Sequence, residues 1–221
     1  MAIIEKDLLK VVGLLQGKEA FLFDMDGLIF DTERIFMEQL AVVMKENGYH
    51  LTREIYSQSL GLGGSKLIEL MQSYYGEDYP FYEISKETAR RVSVVADTVG
   101  LSIKPQIPEV LEYLKEKGIP CAVASSTKSA VVRRYLEKAG LLEYFWEIIG
   151  GEMVERSKPE PDIFLLACKK LEKGPEKCVV LEDSENGVRA AVRAGCEVIC
   201  IPDLKEPVQE IIEKAAYVVR R

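Results

Sequence analysis

From Pro105 onward, short apolar runs alternate with stretches of helical spacing, and this alternation restricts the possible folds more than any other feature of the chain. Strands are predicted over residues 119–124, 147–149, 178–181 and 197–201, with a last short run at 216–219. Helices are predicted between them, over 108–117, 129–139, 162–171, 184–194 and about 208–214. Strands that alternate with helices pair in parallel, because each helical crossover returns the chain to the same end of the sheet. The expected fold class is therefore α/β, a doubly wound, Rossmann-like parallel sheet with helices on both faces.

An earlier apolar run, residues 20–23 (AFLF), has the character of a further buried strand and stops abruptly at Asp24. Between it and Pro105 the pattern is helical, with turn signals at Asn47-Gly48, Gly61 to Gly64 and Gly76 to Pro80. The simplest organisation is a core built from residues 1–30 and 101–221, interrupted by an inserted helical domain over 31–100. Its two connections are placed to act as hinges of an active-site cover. Leu8, Leu9, Val11, Val12 and Leu15 predict one additional helix, about 5–16, ahead of the core.

Charge and cysteine usage narrow the function classes. A net charge of -7 argues against tracking a nucleic-acid backbone, which needs a Lys/Arg-rich surface. Charged residues interrupt the N-terminal apolar run and no stretch is long enough to span a bilayer, so a cytoplasmic protein without membrane or nucleic-acid partners is expected. Five cysteines without a CxxC pair read as reduced, buried thiols. The single histidine, His50, lies in a loop, which leaves little for histidine-based catalysis.

The polar residues that follow the strands carry the chemistry. Asp24 and Asp26 lie just past the first apolar run, in DMDG, and ligands of open parallel sheets gather beyond the carboxyl ends of strands. Two carboxylates held close are relieved by a divalent cation, and Mg²⁺ favours such oxygen ligands while bridging to phosphate. An aspartate can attack a phosphoryl group, and a second can protonate the leaving oxygen. DxDG alone fits a capped turn equally well. Ser125, Ser126 and Thr127 follow the next strand and precede a helix whose free N–H groups attract phosphate, although N-capping is the commoner role. Lys158, in SKPEPD, offers a cation, and Glu182 and Asp183, in LEDSENG, a second acidic pair.

The ordered set DMDG, VASS, SKPEPD and LEDSENG resembles the haloacid-dehalogenase-like superfamily, in the branch with phosphoglycolate phosphatase, sugar-phosphate phosphatases and β-phosphoglucomutase. The resemblance spans roughly residues 19–203, including the helical insertion, which matches that branch's cap domain. It implies that Asp24 is the nucleophile and a metal ligand. Asp26 would be the acid/base, with its main-chain carbonyl on the metal. Ser125, helped by Ser126, would bind the transferred phosphate, and Lys158 would neutralise nucleophile and phosphate. Asp183 would be the distal Mg²⁺ ligand, with Glu182 supporting it. The implied activity is a Mg²⁺-dependent phosphatase of a small phosphorylated metabolite, expected to be a monomer because the cap already shields the site.

Mutases of this branch carry a histidine shortly after the second aspartate and a Lys-Gly-x-Ser-Arg type loop. Here Phe36 stands near the histidine position, and SLGLGGSKL puts Leu60, Gly63 and Gly64 where lysine, serine and arginine would be. Hydrolysis is favoured over a β-phosphoglucomutase-type transfer, although Lys66 or Arg34 could supply charge to a substrate. A non-catalytic phosphate-binding regulator is the third alternative, with no feature in its favour. Asp31, Thr32 and Glu33 read as an N-cap and first-turn acids, and the aromatic stretch 74–82 as packing within the insertion.

Overall fold

The computed structural model describes residues 3–60, 62 and 64–220. Among them seven strands form one sheet: β1 (Ile3–Glu5), β2 (Ala20–Phe23), β3 (Cys121–Ala124), β4 (Glu147–Ile149), β5 (Cys178–Glu182), β6 (Glu197–Cys200) and β7 (Tyr217–Val219). Their order is β1-β7-β6-β5-β2-β3-β4, and every pairing is parallel. The central strands β2, β3 and β5 are buried along their whole length, which is why they read as continuous apolar runs rather than as alternating ones.

The helices are α1 (Leu8–Leu14), α2 (Thr32–Glu46), α3 (Arg53–Ser59), α4 (Ser65–Tyr75), α5 (Phe81–Thr98), α6 (Ile107–Glu116), α7 (Ser129–Lys138), α8 (Asp162–Lys170), α9 (Glu185–Ala194) and α10 (Gln209–Lys214). Ala20 and Leu22 of β2 join Ala122 and Val180 of its neighbours in one core layer, packed with Phe164 and Cys168 of α8 and with Val188 and Ala191 of α9. Strand alternation sends Phe21 and Phe23 to the other face, where the Phe23 ring meets Phe145 edge-on at 5.6 Å.

The chain divides into two compact units, Met1–Asp31 with Ser102–Arg221, and Thr32–Leu101. In the first, the chain leaves and returns at adjacent points: the Asp31 N–H donates to the Ser102 carbonyl at 3.0 Å. The second contains α2 to α5, and α2 packs against α5. Its core gathers Leu40, Val43, Met44, Ile55, Tyr56, Met71, Tyr79 and Ile84. Within the aromatic stretch, Tyr79 is buried against Tyr49 and Tyr75, whereas Tyr82 is exposed.

At the N-terminus the structure corrects the single helix expected over about 5–16. Residues Ile3–Glu5 are a strand that pairs with β7, and the helix is confined to Leu8–Leu14. The reason is local. Asp7 takes extended backbone angles and its side chain accepts from the Lys10 N–H at 2.9 Å, which starts the helix at Leu8, three residues past Glu5. Two β-branched residues, Ile3 and Ile4, precede it and suit a strand. The helix thus serves as the connection between an added edge strand and β2.

Candidate active site

Strand register puts the acids together. Phe23 is level with Leu181 of β5 and with Val123 of β3. The next residue in each strand brings Asp24 beside Glu182 on one flank and Ala124 on the other, and the Asp24 N–H continues the ladder to the Leu181 carbonyl at 3.1 Å. The chain runs from β2 to β3 and β4 on one side, then crosses back to β5 on the other. The carboxyl end of β2 is therefore the switch point of the sheet, where a crevice opens.

Lys158 lies between β4 and α8 and next to a cis Lys158–Pro159 peptide. Its ammonium donates to Asp24 Oδ1 at 2.5 Å, to Glu182 Oε1 at 2.7 Å and to the Ala124 carbonyl at 3.1 Å. It also sits 4.9 Å from the centre of the Phe164 ring. Burial works against the charge on Lys158, but Asp24 and Glu182 outweigh it, so its pKa rises and it stays an ammonium.

Glu182 is fully buried, and both its oxygens are held. Oε1 accepts from Lys158, while Oε2 accepts from the Ser184 N–H at 2.8 Å and the Ser184 hydroxyl at 3.0 Å. Ser184 meanwhile caps α9 by accepting from the Gly187 N–H at 3.0 Å. Gly187 has no room for a side chain, because a Cβ there would overlap the Glu182 carboxyl group.

Asp26 is partly buried and is held from β3's side. The Thr127 hydroxyl donates to Asp26 Oδ2 at 2.8 Å, and the Ser125 hydroxyl approaches the same oxygen at 3.3 Å. Ser125 Oγ in turn accepts from the Thr127 N–H at 3.0 Å. The structure thus brings Asp24, Asp26, Ser125, Lys158, Glu182 and Asp183 to one end of the sheet. Ser126, in the same turn, is exposed. Lys66 is exposed on the first turn of α4 in the second unit, and Gly61 and Gly63 of the preceding loop lie outside the described residues. Asp31 Oδ1 accepts from Lys104 Nζ at 2.8 Å, and Glu33 lies in the first turn of α2. His50 is exposed, and its carbonyl accepts from the Tyr75 hydroxyl.

Three residues at the site went unassigned in the sequence. Thr127 was visible as one of three hydroxyls after β3, but nothing distinguished it as the holder of Asp26. Lys104 and Asp203 carried no local signal, since each is a single charged residue in a loop. Both Lys104 and Asp203 belong to the first unit, where the Lys104 ammonium pairs with the Asp203 and Asp31 carboxylates.

Carboxylate oxygens of Asp24, Glu182 and Asp183 lie within 4.8 Å of one another. Burial, with the neighbouring carboxylates of Glu182 and Asp24, raises the Asp183 pKa well above its ordinary value. Burial also lifts Asp24, to about 7, against the pull of Lys158 and with a further push from Glu182 and Asp26. Hard oxygen donors concentrated beyond what one ammonium neutralises suit a divalent cation such as Mg²⁺. The backbone allows for this crowding: Gly27 has φ +81°, and a Cβ there would overlap Asp183 Oδ2.

A family model described as haloacid dehalogenase-like hydrolase matches residues 21–201. The chain belongs to the haloacid dehalogenase-like hydrolase family. The phosphorylated carbohydrates phosphatase of Thermotoga maritima is 34% identical over 185 residues, covering 82% of this chain and 83% of its own. Among solved structures, CbbY from Rhodobacter sphaeroides in complex with phosphate matches with a TM-score of 0.73 and 29% identity, over 91% of this chain and 93% of that one. A family hydrolase from Deinococcus radiodurans R1, with bound phosphate and sodium, matches with a TM-score of 0.77 and 26% identity, over 93% and 92%. The all-parallel sheet flanked by helices is the fold that these family structures share. Among the described residues, no helix is long and apolar enough to cross a membrane.

Proposed function

We propose that this hydrolase is a Mg²⁺-dependent phosphatase of small phosphorylated metabolites, sugar phosphates foremost, acting through a phosphoryl group carried on Asp24. The observation that carries the reading is the split environment of the two aspartates. Lys158 grips Asp24 by one oxygen, while Thr127 and Ser125 hold Asp26 through hydroxyl groups. One carboxylate is oriented by an ammonium as a nucleophile, and the other is oriented by two hydroxyl groups as its acid/base partner. The relative named as a phosphatase of phosphorylated carbohydrates supports the substrate class.

Asp24 attacks phosphorus, a bond forms from its carboxylate oxygen, and the ester P–O bond breaks. Asp26, entering as the carboxylic acid, gives its proton to the departing alkoxide. Water then attacks the phosphorus of the aspartyl phosphate, Asp26 takes the water's proton, and the bond to Asp24 breaks to release inorganic phosphate. Lys158 orients Asp24 and offsets charge that develops on the phosphoryl oxygens. Asp24, Asp183 and the Asp26 carbonyl are the groups that would hold Mg²⁺, with Glu182 locking Lys158 and Ser184 behind them. When bound, the cation supplies charge stabilisation to the phosphoryl oxygens.

Thr32–Leu101 is read as the cap that excludes water and chooses the leaving group. It is an insertion whose two tethers meet in the core unit at Asp31 and Ser102. The test is a panel of sugar phosphates and other small phosphomonoesters, assayed for phosphate release with Mg²⁺ and with chelator, beside Asp24→Asn. Release only with Mg²⁺, a phosphoryl enzyme trapped by acid quench and released by hydroxylamine, and loss of both in Asp24→Asn are expected. No metal-dependent release from any ester would refute the reading. Conversion of β-glucose 1-phosphate to glucose 6-phosphate, in the presence of the bisphosphate, would instead assign the mutase reaction.

A further inference from the structure

Asp203 lies in the loop after β6, and its carboxylate divides into two very different halves. One oxygen, Oδ1, is clamped by the ammonium of Lys104, a buried lysine that also binds Asp31 Oδ1 at 2.8 Å. The other, Oδ2, is buried and meets no hydrogen-bond donor among the described residues. A buried carboxylate oxygen without a donor is costly, and such an atom calls for an occupant.

The place it faces is defined by Gly27. A Cβ built on that glycine would lie 3.4 Å from Asp203 Oδ2 and would overlap Asp183 Oδ2, so the two carboxylate oxygens border the same small volume. Two acceptors cannot satisfy each other. A donor between them can, and a water molecule bound to a cation through its oxygen points both of its O–H groups outward as donors.

We infer that Asp203 is a positioning residue of the cation site, its Oδ2 accepting a hydrogen bond from a water on the cation held by Asp183, while Lys104 fixes the carboxylate in that orientation. The inference rests on the Mg²⁺ reading given above. It adds a residue twenty positions beyond Asp183 in the chain. Groups that orient the ligands of a metal in this way are worth about 10–100-fold in affinity.

The readout is binding of Mg²⁺ alone, by titration calorimetry, to the full chain and two variants. Asp203→Asn leaves an amide oxygen for Lys104 but turns an NH₂ toward the water, so Mg²⁺ is expected to bind about 10–100-fold more weakly. The metal-free melting temperature should stay within a few degrees. Asp203→Glu keeps the charge and displaces the oxygen by one methylene, and it too should bind more weakly. Wild-type affinity in Asp203→Asn overturns the inference. So does a weakened Asp203→Asn beside an unchanged Asp203→Glu, which would reduce Asp203 to a distant charge. If Asp203→Asn does not fold, Lys104→Gln gives the same readout from the other side of the clamp: weaker Mg²⁺ binding supports the inference, and unchanged binding overturns it. A wild-type chain that binds no Mg²⁺ would instead bring down the metal reading itself, and this inference with it.

Discussion

Gly187→Ala separates what helix propensity says from what the packing says, because the two predict opposite signs. Gly187 is the third residue of α9, and replacing a helical glycine by alanine ordinarily stabilises by up to about 1 kcal/mol. Here the new methyl group would overlap the Glu182 carboxyl group, which has nowhere to go: it is fully buried, and Lys158, the Ser184 N–H and the Ser184 hydroxyl fix both its oxygens. Overpacking of this kind costs about 1–3 kcal/mol. If Glu182 turns aside, at least one hydrogen bond to a charged group is lost, about 1.5–3 kcal/mol more. The net expectation is destabilisation by about 2–4 kcal/mol, and for a chain of this size roughly 2–4 °C of melting temperature per kcal/mol. Urea unfolding followed by circular dichroism, in the metal-free protein, should show a lower midpoint with an unchanged slope. A midpoint equal to or above that of the wild type would refute the reasoning, since it would mean that the Glu182 cradle yields without cost. Phosphate release should fall as well, because Glu182 also holds Lys158.

Thr127→Val keeps the shape of the side chain and removes the hydrogen bond to Asp26. We expect kcat to fall about tenfold with KM little changed, and stability to change by less than about 1.5 kcal/mol; an unchanged kcat would show that Ser125 alone positions the acid. Cys121, Cys168, Cys178, Cys196 and Cys200 are all free and buried, so a thiol reagent should label none of them quickly in the native protein and all five in denaturant. Burial lifts the Cys121 and Cys200 thiols to about 12, above the value of 9.0 for an unperturbed cysteine. A raised folded-state pKa means that the folded protein keeps protons the unfolded chain gives up. Their contribution to stability is therefore whole below about pH 9 and lost between about pH 9 and 12, and melting temperatures measured across that range should fall less steeply in Cys121→Ala. An equal slope in the variant would exclude the thiol as a cause.

Most of the core was legible because its strands are buried on both faces. Ala20–Phe23, Cys121–Ala124 and the first four residues of Cys178–Glu182 leave no polar position to confuse the pattern, and the glycines at 118, 140 and 195 mark helix ends with positive φ. β1 was not legible for the opposite reason. Its three residues are an edge strand with Ile3 and Ile4 more than half exposed, so the apolar side chains advertise a buried segment that does not exist, and the strand is set by pairing with β7, two hundred residues away. Long-range pairing of so short an edge leaves no periodic trace.

The site divides along the same line. Asp24, Glu182 and Asp183 could be found because each stands at or just after a strand the pattern reveals, and Lys158 because it lies in the connection from β4 to α8; strand ends of a parallel sheet converge on one crevice. What holds them could not. Thr127 is one hydroxyl among three, and which of the three reaches Asp26 depends on how the turn after β3 is wound, a matter of a few ångströms. Lys104 and Asp203 are single charges in loops nearly a hundred residues apart, and only the return of the chain at Ser102 and the end of β6 bring them together. Electrostatics makes these unheralded residues necessary. Four carboxylates at the end of β2 and β5 share one ammonium, so each must be held by something else, and the hydroxyls of Ser125, Thr127 and Ser184 do this for Asp26 and Glu182 without adding charge. The acids of such a site declare themselves in the sequence, whereas the neutral groups that keep them apart are chosen by three-dimensional proximity alone.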